Sequence, residues 1–174
     1  MVNPPRNVVT RPAGPEDSAD IRALHARAFG PGRFARTAYR LREGAAEFSP
    51  YCRVCRIDGR LAAAVRFSPI LIGARGGALL LGPLAVDPAF ANRGHGRGLV
   101  GEALEVARGA GIALVVLVGD EPYYARLGFK RIPRGQIALP GPVDPDRLLA
   151  AELVSDALAG YGGLVAADRA EPGA

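Results

Sequence analysis

The stretch Leu80 to Val118 constrains this chain more than any other. A dense apolar run, Ala78-Leu79-Leu80-Leu81-Gly82-Pro83-Leu84-Ala85-Val86, leads toward Asn92-Arg93-Gly94-His95-Gly96-Arg97-Gly98. A helical pattern follows, then a second apolar run from Ile112 to Val118. The order reads strand, glycine-rich loop, helix, strand. Leu99, Val100, Ala103, Leu104 and Ala107 fall on one helical face, and Glu102, Glu105 and Arg108 on the other. Gly109 and Gly111 end that helix. The second run has no apolar–polar alternation, as expected of a central strand covered on both sides. The two runs are therefore joined by a parallel crossover.

A glycine-rich loop that opens a helix is a place to bind phosphate. The first backbone N–H groups have no partner inside the helix, and the helix dipole adds partial positive charge there. Arg93 and Arg97 bring full charges, each able to form charge-assisted hydrogen bonds worth about 1.5–3 kcal/mol.

The rest of the chain sets the frame. Its 174 residues favour one domain, with a core over about residues 8–135 and later strands over about 136–168. Asn7 to Thr10 reads as a first strand. Gly14-Pro15-Glu16-Asp17 starts a helix with proline in the first turn and acids at the positive end. Ile21, Leu24, His25 and Ala28 form its apolar face, so His25 is expected to pack at an edge. Arg33 to Arg42 reads as a second, arginine-rich helix that is solvated or borders an acceptor site. Tyr51 to Ile57, the turn Asp58-Gly59 and Leu61 to Phe67 form a hairpin that Ile70 to Ile72 extends. A second turn is expected over Gly73 to Gly77. Pro122 to Leu127 suggests a short helix ended by Gly128. Phe129 to Ile132, Leu148 to Val154 and Leu164 to Ala167 read as further strands. The class is mixed α/β: antiparallel strands first, one parallel crossover after them.

Composition excludes several functions. Hydrophobic residues make up 49% and charged residues 22%, as in a globular domain. The net charge of +5 comes mostly from scattered arginines. With no basic block and no aromatic RNA-binding motif, it fits a small polyanion at least as well as nucleic acid. No apolar run is long enough to cross a membrane, and Met1 to Arg11 has no signal-peptide core, so the expected location is cytoplasmic. The two cysteines, Cys52 and Cys55, lie three apart in a strand-like run and so face opposite sides. With no second Cys/His pair nearby, no metal site is expected.

Gly96-x-Gly98-x-x-Gly101 satisfies the dinucleotide fingerprint, and Asp120 lies where a ribose-binding acid would. A dinucleotide turn follows its strand at once, however, and here Asp87 to Asn92 intervene. The Walker lysine pattern is absent.

Arg93-Gly94-His95-Gly96-Arg97-Gly98 matches the (Q/R)-x-x-G-x-(G/A) signature of the GCN5-related N-acetyltransferases (GNAT). Leu84-Ala85-Val86-Asp87-Pro88 before it and Tyr123-Tyr124-Ala125-Arg126-Leu127-Gly128-Phe129 after it match as well. The chain resembles that family from about Val8 to Ile132, and Gly119 to Tyr124 looks most like its YhbS-like predicted acetyltransferases. The resemblance implies the GNAT fold, a mostly antiparallel mixed sheet with helices on both faces. It implies acetyl-CoA as cosubstrate, an amine acceptor and no metal; a homodimer is left open. The implied cofactor-binding residues are Leu84, Ala85, Val86, Arg93, Gly94, His95, Gly96, Arg97 and Gly98. The loop residues would wrap the pyrophosphate, and Leu84 to Val86 would splay from the second apolar strand to admit the pantetheine arm. Tyr124, five residues before Phe129, occupies the place of the family's tyrosine acid; its alternative is a packing role. Many relatives carry a glutamate on the strand before the signature, where this chain has Gly82, Leu84 and Ala85. Asp120 and Glu121 are the substitutes to consider as general base. The rival readings are a non-catalytic acyl-CoA-binding module and an NAD(P)-binding oxidoreductase.

Overall fold

A computed structural model describes residues 6–30 and 41–170. Strand β1 (Val8–Pro12) leads through a 3-10 turn (Pro15–Asp17) into helix α1 (Ser18–Phe29). The expected second helix from Arg33 falls, as far as residue 40, outside the described residues. Strands β2 (Arg53–Ile57), β3 (Arg60–Ile72) and β4 (Arg75–Val86) follow as an antiparallel meander. After a 3-10 turn (Pro88–Phe90) come α2 (His95–Gly109) and β5 (Leu114–Val118). The short α3 (Glu121–Tyr124) runs into a 3-10 turn (Ala125–Leu127). Strands β6 (Lys130–Arg131), β7 (Ile137–Ala138), β8 (Leu148–Glu152) and β9 (Gly163–Ala167) complete the chain.

The main sheet has the order β1-β2-β3-β4-β5-β8-β6. Its one parallel neighbour pair along that path is β4–β5, the crossover that the apolar runs predict. β9 pairs with the far end of β3 and carries β7 as a short parallel partner. The hairpin turns have the backbone their residues suggest. Asp58 and Gly59 both take positive φ, +50° and +81°, the geometry whose twist matches a two-residue hairpin. The second turn is tighter than expected: Gly73 and Ala74 supply it, and β4 begins at Arg75.

Helices cover both faces. Leu99, Val100, Ala103, Leu104 and Ala107 of α2 are all buried, against Ala63, Val65, Leu79 and Val115. Truncating a core leucine such as Leu99 to alanine costs about 2–5 kcal/mol. On the opposite face Leu24 of α1 packs against Val54, Leu61, Ala64 and Ala85. Ala28, expected on that buried stripe, is exposed, and Phe29 packs there instead. β5 is buried on both sides, Val115 and Leu117 toward α2 and Leu114 and Val116 away from it, which explains its unbroken apolar run.

Asp17 is more than a helix-starting acid. It is fully buried and receives Arg11 at 2.7 and 2.8 Å, Arg56 at 2.9 Å and the Gly14 N–H at 3.1 Å. This clamp ties α1 to β1 and β2. Cys52 lies before β2, its thiol near the Phe67 carbonyl, and Cys55 is buried under α2; both are free thiols.

Candidate active site

The glycine-rich loop is built by backbone geometry rather than side chains. Asn92 and Gly94 have φ of +59° and +82°. Gly94 caps α2 without a side-chain hydrogen bond, and no acid lies in the first turn. The first helical bond runs from the Gly98 N–H to the Gly94 carbonyl at 2.9 Å, so the amides of His95, Gly96 and Arg97 precede the helical ladder. An anion is the natural partner for them. Arg93 is exposed beside this start, and Arg97 is half-buried.

The glycines of the loop serve different ends. A Cβ on Gly96 would meet the Tyr123 hydroxyl at 2.9 Å and Val86 Cγ2 at 3.0 Å, so Gly96 lets α2 seat against the end of β4. A Cβ on Gly98 would meet nothing within 4 Å. The protein's own atoms do not require glycine there; a ligand lying close over the backbone would.

The gap beside β4 is read from the register. β4 pairs with β5 at Ala78–Leu114, Leu79–Val115 and Leu80–Val116 and then leaves it. Leu84, Ala85 and Val86 stay paired with β3 on one edge only. The departure coincides with a bulge: Val65 faces Leu84 and Phe67 faces Leu81, so β4 carries one more residue than β3 over that span. Gly82, with φ of +122°, and Pro83 fill the bulge. Ala85 is buried toward α1, whereas Leu84 and Val86 are half-buried toward α2. The unpaired edge from Leu84 to Val86 can bind an extended chain as a further strand would.

Tyr123 borders this gap, and Tyr124 packs beside it. Tyr123 places its hydroxyl against Gly96, and the Arg97 guanidinium lies 5.2 Å from its ring centre. Tyr124 turns the other way, edge-on to Tyr123 at 4.8 Å and to Phe129 at 5.7 Å. Burial, with help from Tyr123 and Asp120, pushes the Tyr124 phenol up to about 12; Arg147 opposes the shift. Its proton is therefore held firmly at neutral pH.

The acids weighed as bases are otherwise engaged. Asp120, which is exposed, pairs with Arg147 at 3.3 Å, and the half-buried Glu121 pairs with Arg131 at 2.5 Å. Asp87 is buried; it accepts the Ala89 N–H at 2.9 Å and the Arg60 and Arg27 guanidiniums at 2.9 and 3.3 Å, and so ends β4 structurally.

The cavity that sequence reasoning missed lies on the α1 face. It has a volume of about 300 Å³ and is lined by Arg22, His25, Arg42, Glu47, Arg66 and Pro83, among others. These residues are scattered along the chain, and no local pattern joins them. Arg42 is 7% exposed, and its Nη2 lies 3.2 Å from where a Cβ of Gly82 would stand. The cavity thus reaches the bulge where β4 leaves β5, from the side opposite α2.

Comparison with known proteins agrees with this geometry. Residues 18–129 match the acetyltransferase (GNAT) family. The chain is 32% identical over 153 residues to the uncharacterized N-acetyltransferase YhbS of Escherichia coli (strain K12), covering 87% of this chain and 90% of that protein. The crystal structure of YhbS from Escherichia coli in complex with CoA superposes with a TM-score of 0.81 at 30% identity, over 97% of this chain and 93% of that one. A GNAT family acetyltransferase from Brucella melitensis in complex with acetyl-CoA gives a TM-score of 0.61 at 31% identity, over 87% of this chain and 97% of that one.

Proposed function

The chain belongs to the acetyltransferase (GNAT) family, and on that premise we propose that it moves the acetyl group of acetyl-CoA directly to a primary amine. The observation that carries this reading is the early end of the β4–β5 pairing at Leu80 and Val116, beside a helix start with open amides. The gap and the anion site are adjacent because Gly96 packs on Val86.

The amides of His95, Gly96 and Arg97, with Arg93 and Arg97, hold the pyrophosphate. Leu84, Ala85 and Val86 bind the pantetheine arm along their free edge. A backbone N–H of that edge polarises the acetyl carbonyl and takes up the charge of the tetrahedral oxyanion. The neutral amine attacks the carbonyl carbon, the C–N bond forms, and the C–S bond breaks.

Tyr124 serves the leaving sulfur. Its raised pKa keeps the phenol protonated until thiolate charge develops. A free thiol has a pKa of about 8.5, below that of the phenol, so transfer to sulfur is uphill by itself and is completed by the proton that the attacking amine loses. The proton that the amine loses on acylation restores the balance, so the products are an N-acetylamine and CoA thiol.

Two measurements test the proposal. Calorimetry should detect saturable binding of CoA, and free thiol should appear when acetyl-CoA is mixed with the protein and an accepted amine. No heat with CoA would sink the reading outright. Binding without thiol release across a broad amine panel would leave a binding module in its place.

A further inference from the structure

We propose that the cavity on the α1 face is the acceptor pocket and that it takes a small molecule carrying a carboxylate as well as the primary amine, an amino acid or close analogue. The inference rests on the transferase reading and names its substrate class.

Charge is the first argument. Among the described lining residues, Arg22, Arg42 and Arg66 outnumber the one carboxylate, Glu47. An ammonium with no anion of its own is disfavoured here. An acceptor that brings a carboxylate meets guanidiniums whose planar forks match it. Arg42 is buried at the bulge, and Arg66 is steadied by a 2.8 Å bond to the Ala46 carbonyl.

Position is the second argument. Pro83 and Val65 line the cavity, and Val65 pairs with Leu84. An acceptor seated there approaches the β4–β5 gap from the α1 side, while the phosphate loop serves it from the α2 end. A volume of about 300 Å³ belongs to the small-molecule range.

The same charges bear on the missing base. Nearby cations disfavour the ammonium form of the acceptor and lower its pKa. Each unit of lowering raises the neutral fraction about tenfold at neutral pH. The pocket thereby supplies neutral amine without a glutamate at Gly82, Leu84 or Ala85.

The test is a binding measurement that needs no chemistry. Protein saturated with CoA is titrated by calorimetry with a set of L-amino acids and with the matching amino-acid amides, which keep the amine and lose the carboxylate. At least one acid should bind ten or more times more tightly than its amide. Arg66→Gln and Arg42→Gln should each erase that preference while leaving CoA affinity unchanged. Where the buried Arg42 variant folds poorly, Arg66→Gln decides alone. Equal affinity for acid and amide, or no binding by any acid, overturns the proposal. Acid-selective binding without thiol release from acetyl-CoA would instead sink the transferase reading and leave the pocket's preference standing.

Discussion

Tyr124 lies directly over Gly119: a Cβ at Gly119 would stand 2.6 Å from Cε2 of the ring. Phe129 and Tyr123 hold the ring edge-on, so it has little room to retreat. The glycine at the end of β5 thus sets where the phenol points. Gly119→Ala should displace the hydroxyl and lower kcat about tenfold to a hundredfold, because misplacement of a catalytic group by about 1 Å costs on that order. Acetyl-CoA affinity, measured by calorimetry, should stay within about twofold.

Tyr124→Phe isolates the proton itself. Its removal should lower kcat by about 10²–10⁴-fold while CoA binding is nearly unchanged. Equal loss of both would show that the hydroxyl serves CoA binding and not proton transfer. The pH dependence has a definite sign. The phenol is raised from 10 to about 12 in the folded protein. Below pH 10 it is neutral in both folded and unfolded chains. Between pH 10 and 12 the unfolded chain ionises first, so stability falls with rising pH by up to about 1.4 kcal/mol per pH unit. Denaturant titrations of wild type and Tyr124→Phe across that window should differ in slope.

Gly96→Ala attacks the packing of α2 on the end of β4. The new methyl would meet the Tyr123 hydroxyl at 2.9 Å and Val86 Cγ2 at 3.0 Å. Either α2 or the gap wall must give way, and CoA affinity should drop about tenfold or more, equivalent to about 1.4 kcal/mol. Fluorescence or calorimetric titration with CoA reads this directly.

Arg93 is exposed, so its contribution is chiefly charge. Arg93→Ala should raise the acetyl-CoA KM about tenfold with kcat unchanged. The difference between variant and wild type should shrink at high salt, since exposed charges are screened over roughly 10 Å at 0.1 M.

Asp17 governs acid stability. Burial would raise its carboxyl, but hydrogen bonds from Arg11, Arg56 and the Gly14 amide, with the charge of Arg11, bring it from 3.8 down to about 2. The contribution is therefore present above pH 3.8 and is lost as pH falls toward 2. It amounts to about 2 kcal/mol. Thermal melts at pH 7 should show Asp17→Asn melting several degrees lower, with the gap to wild type closing in strong acid.

Much of this molecule was legible residue by residue. The α2 face from Leu99 to Ala107, the doubly covered β5 and the Asp58-Gly59 turn follow from side-chain period and from the backbone each residue tolerates. The glycine that opens α2 was legible for the same reason, since the positive φ of Gly94 needs no distant partner to be read. Periodicity placed Ala28 wrongly in favour of Phe29, because a helical stripe is only as wide as the sheet beneath it.

Tertiary structure alone decided what depends on residues far apart in the chain. β8, from Leu148, inserts between β5 and β6, a pairing between distant segments that strand propensity does not encode. The Asp17 clamp draws on Arg11 and Arg56, and the cavity on the α1 face draws on Arg22, Arg42, Glu47 and Arg66. Short-range order follows from dihedral preference and hydrophobic period, which neighbours in sequence share. A charged cavity depends on which distant surfaces the sheet brings together, and that is settled only when the whole core packs.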